Sequence, residues 1–338
     1  MKKTIWFDFT NVPHVNFLLP LIRLLENNYN MIFSLRDFAE TEELFRQKLN
    51  KPYLLAGKHK GDNKISKVVG VFERARLLNQ MLPDFDLKIS VGGDASNMVA
   101  KWRGKKSITF DDNETAPNWR YSHFTDFAFW PKAVEVEKLL RQGFKPNRLY
   151  QYEGFKEDIY IADYLPDDSF LNKLPFRKYV VVRPENIQAN YVNTKQKSIV
   201  PDLLNIFDKT NINVLFLPRY KEDMMYSKGY KNIFIPDVAI DGLDACYYSD
   251  AVITGAGTMA REAACMGVPA VSFYSGKNLL SVDKKMIEMR WLFFSRDADK
   301  IFQYLQQKKR ENKSILRSRT VLNDVKEKLS EVIEQMRL

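Results

Sequence analysis

Two glycines and a glutamate in the stretch "AVITGAGTMAREAACMGVPAVSFY", Ala251 to Tyr274, have the types and spacing of an anion site. An apolar run ends at Gly255, Ala256 and Gly257 follow, and Thr258 opens a helical pattern. Glycines let main chain approach a ligand, and the unsatisfied N–H groups at a helix start favour negative charge. Glu262, one turn further in, is placed to accept hydrogen bonds from vicinal hydroxyls. A phosphate at the helix start and a diol one turn inward fit a nucleoside diphosphate. The alternative is a tight strand-to-helix turn with Glu262 in solvent.

Other chemistries find less support. Gly255 to Ala260 formally satisfies the G-x-G-x-x-G/A dinucleotide pattern. The next strand, however, ends "SFYSGK" without the carboxylate that would hold an NAD ribose. The G-x-x-x-x-G-K-[ST] phosphate loop is absent. His14, His59 and His123 are far apart, with no i,i+4 pair for zinc, and no metal is expected. The adjacent Asp111 and Asp112 suit either magnesium or a loop cap. His59, in the polar "AGKHKGDNK", belongs either to a substrate-covering loop or to plain surface.

These residues need a scaffold, and apolar strands alternate with amphipathic helices along the whole chain, the pattern of parallel α/β sheets. In the first half "TIWFDF", "MIFSL", "PYLLAG", "DLKISVGG", "SITFDD", "FTDFAFWP" and "LYQYEGF" read as strands. The rhythm restarts with "KYVVVRP", "INVLFLPR", "NIFIPD" and the glycine-loop stretch. Between them lies a Pro- and Asp-rich segment without strict periodicity. The expected organisation is a first Rossmann-like domain over 1–155, a linker over 156–176, and a second Rossmann-like domain over 177–338 closed by charged C-terminal helices. The sheets are expected to be doubly wound, with an interdomain cleft at the carboxyl ends of their strands.

The bulk properties fit this reading. A chain of 338 residues suits two domains of ordinary size. Two cysteines, Cys246 and Cys265, cannot frame a disulfide scaffold and read as buried thiols in a reducing compartment. The start "MKKTIWFDFTNVPH" fails as a signal peptide because Asp8 interrupts its apolar run. "VNFLLPLIRLL" is too short to span a bilayer, so a cytoplasmic location is expected. The net charge of +10 is spread along the chain with no nucleic-acid-binding signature, and no nucleic-acid partner is expected. Phosphate-bearing substrates near an anionic membrane face explain it, as does a merely solvated helix face.

Further segments carry a family likeness: "TNVPHVNFLLPLIRLLE", "LRDFAET", "VGGDAS", "FDDNETA", "YEGFKEDIYI" and "VVVRPEN". With the glycine loop they make the chain similar to the GT-B superfamily, which holds glycosyltransferases and the non-hydrolysing UDP-N-acetylglucosamine 2-epimerases. More closely, the chain resembles the DUF354 family over nearly its whole length. The resemblance implies that His14 faces the cleft, that Asp94 stands at a strand end, and that Asp111, Asp112 and Glu114 occupy a catalytic region. It also implies that the glycine loop, Gly255, Ala256, Gly257 and Thr258, holds the diphosphate and that Glu262 holds the ribose. "VVVRPEN" departs from the epimerase His-Arg-x-Glu-Asn run in having no histidine, only Arg183, Pro184, Glu185 and Asn186.

The resemblance leaves two reactions in view. A GT-B glycosyltransferase needs a base from the first domain, for which His14, Asp94, Asp112 and Glu114 are candidates. Its departing diphosphate is met by helix-start N–H groups and by Arg183, Arg219 and Lys277, without a required metal or other cofactor. A 2-epimerase would use several carboxylates around the sugar to shuttle a proton. The missing histidine and the altered "FDDNETA" favour the transferase. The expected substrates are a nucleotide-diphosphate sugar, UDP foremost, and an acceptor glycan or lipid-linked phosphate. A peripheral contact with the inner membrane face and a homodimer are further expectations.

Overall fold

The computed structural model describes residues 2–38, 41–58, 64–185, 197–238, 240–311 and 315–337. The chain divides into two compact units, Met1–Asp163 with Leu316–Leu338, and Tyr164–Ile315.

In the first unit seven strands form one parallel sheet: β1 (Thr4–Phe9), β2 (Asn30–Asp37), β3 (Leu54–Lys58), β4 (Leu87–Val91), β5 (Lys106–Phe110), β6 (Phe127–Pro131) and β7 (Leu149–Tyr152). Their order is β3-β2-β1-β4-β5-β6-β7. The connecting helices are α1 (Val12–Leu25), α2 (Thr41–Lys48), α3 (Lys64–Met81), α4 (Asp94–Trp102), α5 (Trp119–Ser122), α6 (Val136–Arg141) and α7 (Lys156–Ile161). Central strands of such a sheet are covered on both faces and read as near-continuous apolar runs. β1 shows this, with Ile5, Trp6, Phe7 and Phe9 all inaccessible to solvent.

The second unit repeats the plan with six parallel strands: β8 (Val180–Arg183), β9 (Val214–Phe216), β10 (Ile233–Phe234), β11 (Ala251–Thr254), β12 (Ala270–Ser272) and β13 (Leu292–Phe294). The order is β10-β9-β8-β11-β12-β13. Its helices are α8 (Val200–Lys209), α9 (Gly242–Tyr247), α10 (Gly257–Met266), α11 (Ser281–Glu288) and α12 (Ala298–Gln307). The core joins Val180, Val182, Ile253 and Val271 of the sheet to Leu203, Leu204 and Phe207 of α8. Both sheets reverse direction of winding once, between β1 and β4 and between β8 and β11. Open α/β sheets bind ligands outside the carboxyl ends of strands at such switch points.

The observed division differs from the sequence-based one at two places. α7 opens the expected linker yet is buried throughout and belongs to the first unit. The last helix, Ile315–Gln335, returns to the first unit instead of closing the second. Its stripe of Val321, Val325, Leu329 and Val332 is buried, Ser318 Oγ donates to Asp158 (2.8 Å), and Tyr150 donates to Asp324 (2.6 Å). Among the described residues, no helix is long and apolar enough to cross a membrane. Both cysteines are buried free thiols.

Candidate functional site

β11 delivers Gly255 to the carboxyl edge of the second sheet, where its N–H donates to the Arg183 carbonyl at the end of β8 (3.0 Å). A Cβ on Gly255 would lie 2.4 Å from Glu185 Cα, so the neighbouring strand end itself demands glycine here. Ala256 donates its N–H to Thr254 Oγ1 (2.8 Å) and stands as the extended N-cap of α10. Its methyl group cannot accept from the first-turn N–H groups, and that turn carries no acidic residue. The helix start is therefore open to an anion.

Gly257 also has a packing reason. A Cβ there would meet Arg261 Nη1 at 2.9 Å. Arg261 is buried beside this first turn and pairs with Asp283 at the start of α11 (2.9 Å). Thr258 follows Gly257 in the same turn. Glu262 is 7% exposed, which removes the solvated alternative. It lies near Cys246 of α9, whose thiol is pushed up by burial and then by the Glu262 charge.

The remaining second-unit candidates spread along the same edge. Arg219 lies just beyond β9, half-buried, with its Nε enclosed and no hydrogen-bond partner. Lys277 lies beyond β12 and is exposed. Glu185 is buried with both oxygens engaged, Oε1 by Arg296 (3.1 Å) and Oε2 by Ser198 Oγ (2.8 Å). Arg296 also donates to the Phe273 carbonyl (2.6 Å), so Glu185 ties the ends of β8 and β12 together. Asn186 lies outside the described residues, as does His59 of the first unit.

In the first unit, a carboxylate cluster forms where β4 and β5 end. Asp111 Oδ1 accepts from the N–H groups of Asp112 (2.8 Å) and Asn113 (3.0 Å), and Oδ2 accepts from the Tyr121 hydroxyl (2.6 Å). Burial, then the charge of Asp112, push the Asp111 carboxyl up to about 6 against these hydrogen bonds. Asp112 is 4% exposed and pairs with Lys156 of α7 (2.8 Å). Asp94 opens α4 after the left-handed Gly92 and Gly93, with Arg120 at 3.8 Å. Burial raises the Asp94 carboxyl, and Arg120 opposes the shift. Glu114 follows in the turn after β5, its carbonyl accepting from Gln142 (2.7 Å).

His14 sits in the first turn of α1, its Nδ1 3.2 Å from Thr10 Oγ1 and its Nε2 3.4 Å from Asn11 Nδ2. Burial, then the charges of Lys156 and Arg36, lower it to about 3, so the ring is neutral at pH 7. Beneath it Asp8 takes both prongs of Arg74 (2.6 and 3.0 Å) and a hydrogen bond from Ser34 (2.6 Å). Burial pushes Asp8 up, but Arg74 and the hydroxyl donors bring it below its usual value. Lys88 of β4, fully buried on Asn97 (3.0 Å) and Thr109 (3.3 Å), is lowered by burial to about 7.

The structure thus gathers Arg183, Glu185, Arg219, Gly255 to Thr258 and Lys277 along one sheet edge, and Asp94, Asp111, Asp112 and Glu114 along another. Sequence reading missed Lys156, Arg74, Arg36, Arg261 and Arg296. Each meets its partner across tens of residues, and only Asp8, a charge inside the apolar "TIWFDF", carried a local signal.

Two doubly wound sheets of this order are the GT-B fold, and solved structures of that class share it. UDP-N-acetylglucosamine 2-epimerase from Neisseria meningitidis, bound to UDP-GlcNAc, is similar with a TM-score of 0.71 at 11% identity, covering 98% of this chain and 100% of that one. The glycotransferase of kitacinnamycin is similar with a TM-score of 0.61 at 10% identity, covering 99% of each chain. Residues 3–335 match the family described as "Protein of unknown function (DUF354)", and the chain belongs to that family. An uncharacterised protein of Methanocaldococcus jannaschii is 28% identical over 318 residues, covering 89% of this chain and 90% of the relative.

Proposed function

We propose that this chain is a glycosyltransferase that uses a nucleoside diphosphate sugar, with UDP as the nucleotide. The diphosphate sits on the open first turn of α10, where Arg183, Arg219 and Lys277 supply positive charge along the sheet edge. Glu262 accepts from the ribose diol. The first unit supplies the base. As the acceptor hydroxyl attacks the anomeric carbon, its proton passes to a carboxylate, and the sugar–phosphate bond breaks with its electron pair leaving on the diphosphate.

Asp111 carries this reading. Asp112 is tied to Lys156 and Asp94 faces Arg120, whereas Asp111 is half-buried and raised to about 6. A carboxylate titrating just below neutral pH suits proton abstraction from a hydroxyl. His14, lowered to about 3, is too weak a base at neutral pH and serves as a hydrogen-bonding group. The raised carboxyls of both Asp94 and Asp111, at adjacent strand ends, favour a second reading, a nucleotide-sugar 2-epimerase. The setting proposed for either reaction is surface polysaccharide or glycoconjugate synthesis in the cytoplasm.

A thermal-shift panel of UDP, GDP, CDP, dTDP and ADP tests the nucleotide site, since a ligand bound only by the folded state raises its stability. No shift with any of them defeats the proposal. NMR of a reaction with the matching sugar nucleotide then separates the reactions. Nucleotide release only with an acceptor marks the transferase, and an inverted C2 centre on an intact sugar nucleotide marks the epimerase.

A further inference from the structure

Among the described residues, Arg36 forms no ion pair with a carboxylate. It stands near the end of β2, half-buried, with Nη2 donating to Asn11 Oδ1 (2.9 Å) and its guanidinium 4.9 Å above the Phe38 ring. Its Nε is enclosed and has no hydrogen-bond partner. The nearby carboxylates are already committed, Asp8 to Arg74 and Asp112 to Lys156. Buried charge is normally matched, because removing an ion from water costs far more than a neutral amide returns.

Three cationic side chains, Arg36, Arg74 and Lys156, act on this place, and both nearby carboxylates already hold a cation. Burial, then Arg74, disfavour the charge on Arg36 while Asp8 favours it, and burial, Lys156 and Arg36 disfavour a proton on His14 against the weaker pull of Asp8 and Asp112. α1 has no acidic residue in its first turn. Asn11 joins the two groups, its Oδ1 on Arg36 and its Nδ2 toward His14. Asn11, the N-cap of α1, and His14 in its first turn follow β1 at the switch point of the first sheet, the place where such sheets hold ligands.

We propose that Arg36, with Asn11 and His14, forms an anion site in the first unit for a phosphate group carried by the acceptor. The acceptor assignment rests on the glycosyltransferase reading; the phosphate site stands on its own geometry. The shared chemistry is a phosphate monoester or diester oxygen, whether on a soluble sugar phosphate or on a lipid headgroup. Arginine suits it because its fork meets phosphate oxygens in a fixed plane.

The decisive variant is Asn11→Asp, nearly isosteric, which places a carboxylate on Arg36 from within. Isothermal titration of the full chain with glycerol 1-phosphate at low salt should show binding in the wild type. Asn11→Asp and Arg36→Gln should each weaken it by about tenfold or more, the loss expected for a charge-assisted contact. Asn11→Asp should also raise the melting temperature, which separates a filled anion site from a damaged fold. Equal affinity in wild type and Asn11→Asp, or no binding by wild type, overturns the proposal. Co-sedimentation with phosphatidylcholine vesicles containing phosphatidic acid, lost in Asn11→Asp, assigns the phosphate to a lipid; binding to glycerol 1-phosphate alone assigns it to a soluble acceptor. UDP affinity should be unchanged in Asn11→Asp, and a parallel loss would give the site to the donor and refute the acceptor assignment. If UDP fails to bind while phosphate binding depends on Arg36, the donor reading falls and the anion site stands.

Discussion

Replacing Asp111 by asparagine should make the protein more stable and less active. The folded state holds this carboxyl at about 6 against an ordinary value of 3.8, with burial and the Asp112 charge as the causes. At 1.36 kcal/mol per pKa unit, keeping Asp111 ionised at neutral pH costs the fold at most about 3 kcal/mol. The sign follows from proton binding. The folded state holds the proton more tightly than the unfolded chain, so the wild type loses stability as pH rises from about 4 to about 6 and stays level above. Asparagine keeps an acceptor for the N–H groups of Asp112 and Asn113 and carries no charge. Urea unfolding should therefore favour Asp111→Asn above about pH 6, with the difference vanishing below about pH 4. Turnover should fall by about 10²- to 10⁴-fold, as for a lost general base, and the acid limb of the wild-type profile should lie near 6. A variant that is less stable at neutral pH, or whose stability difference ignores pH, would refute the electrostatic reasoning. Full activity in that variant would remove Asp111 from the chemistry.

Three further perturbations probe the rest of the machinery. Gly255→Ala drives a Cβ to within 2.4 Å of the Glu185 main chain and should cost about 3 kcal/mol, read by denaturation; a neutral result would mean the strand ends separate easily. Lys156→Met removes the cation paired with the buried Asp112 and should cost about 3–5 kcal/mol, much of it recovered by adding Asp112→Leu. If the double variant is no better than the single one, the pair is not what makes the lysine necessary. Glu262→Ala should weaken UDP binding by about tenfold while leaving the fold intact, and calorimetry showing unchanged affinity would take the ribose away from this residue.

The elements and the site were legible to different depths. Strands such as "TIWFDF" and "AVIT" announced themselves because central parallel strands are apolar on both faces. The short helices α5 and α6 and the strand β13 escaped, being four, six and three residues long and too brief to show a period. The last helix was recognised as helical but put with the wrong unit, since an apolar stripe tells that a helix packs and not on what. The glycine loop was found, but for a reason the structure changes. Gly255 makes room for Glu185, which is distant in sequence, and Gly257 for Arg261 one turn on in the same helix, rather than for a ligand alone. Asp112 was picked out while its partner Lys156, 44 residues on, was not, because an ion pair between loop ends leaves no spacing to read.

The two units share one strand order over six strands, and the difference between their fourth-strand loops separates their chemistry. Each loop runs from a buried strand through glycines into a helix: Gly92 and Gly93 before α4, Gly255 and Gly257 around the start of α10. In the first unit the helix begins with Asp94, a carboxylate that fills the positive helix start from within. In the second it begins Gly257-Thr258-Met259, with no carboxylate in the turn. A phosphate arriving at α4 would meet like charge, whereas one arriving at α10 would meet open N–H groups. An anion taken by the first unit belongs one strand away, at the ends of β1 and β2, where α1 starts without an acidic residue and Arg36 has an enclosed Nε with no hydrogen-bond partner.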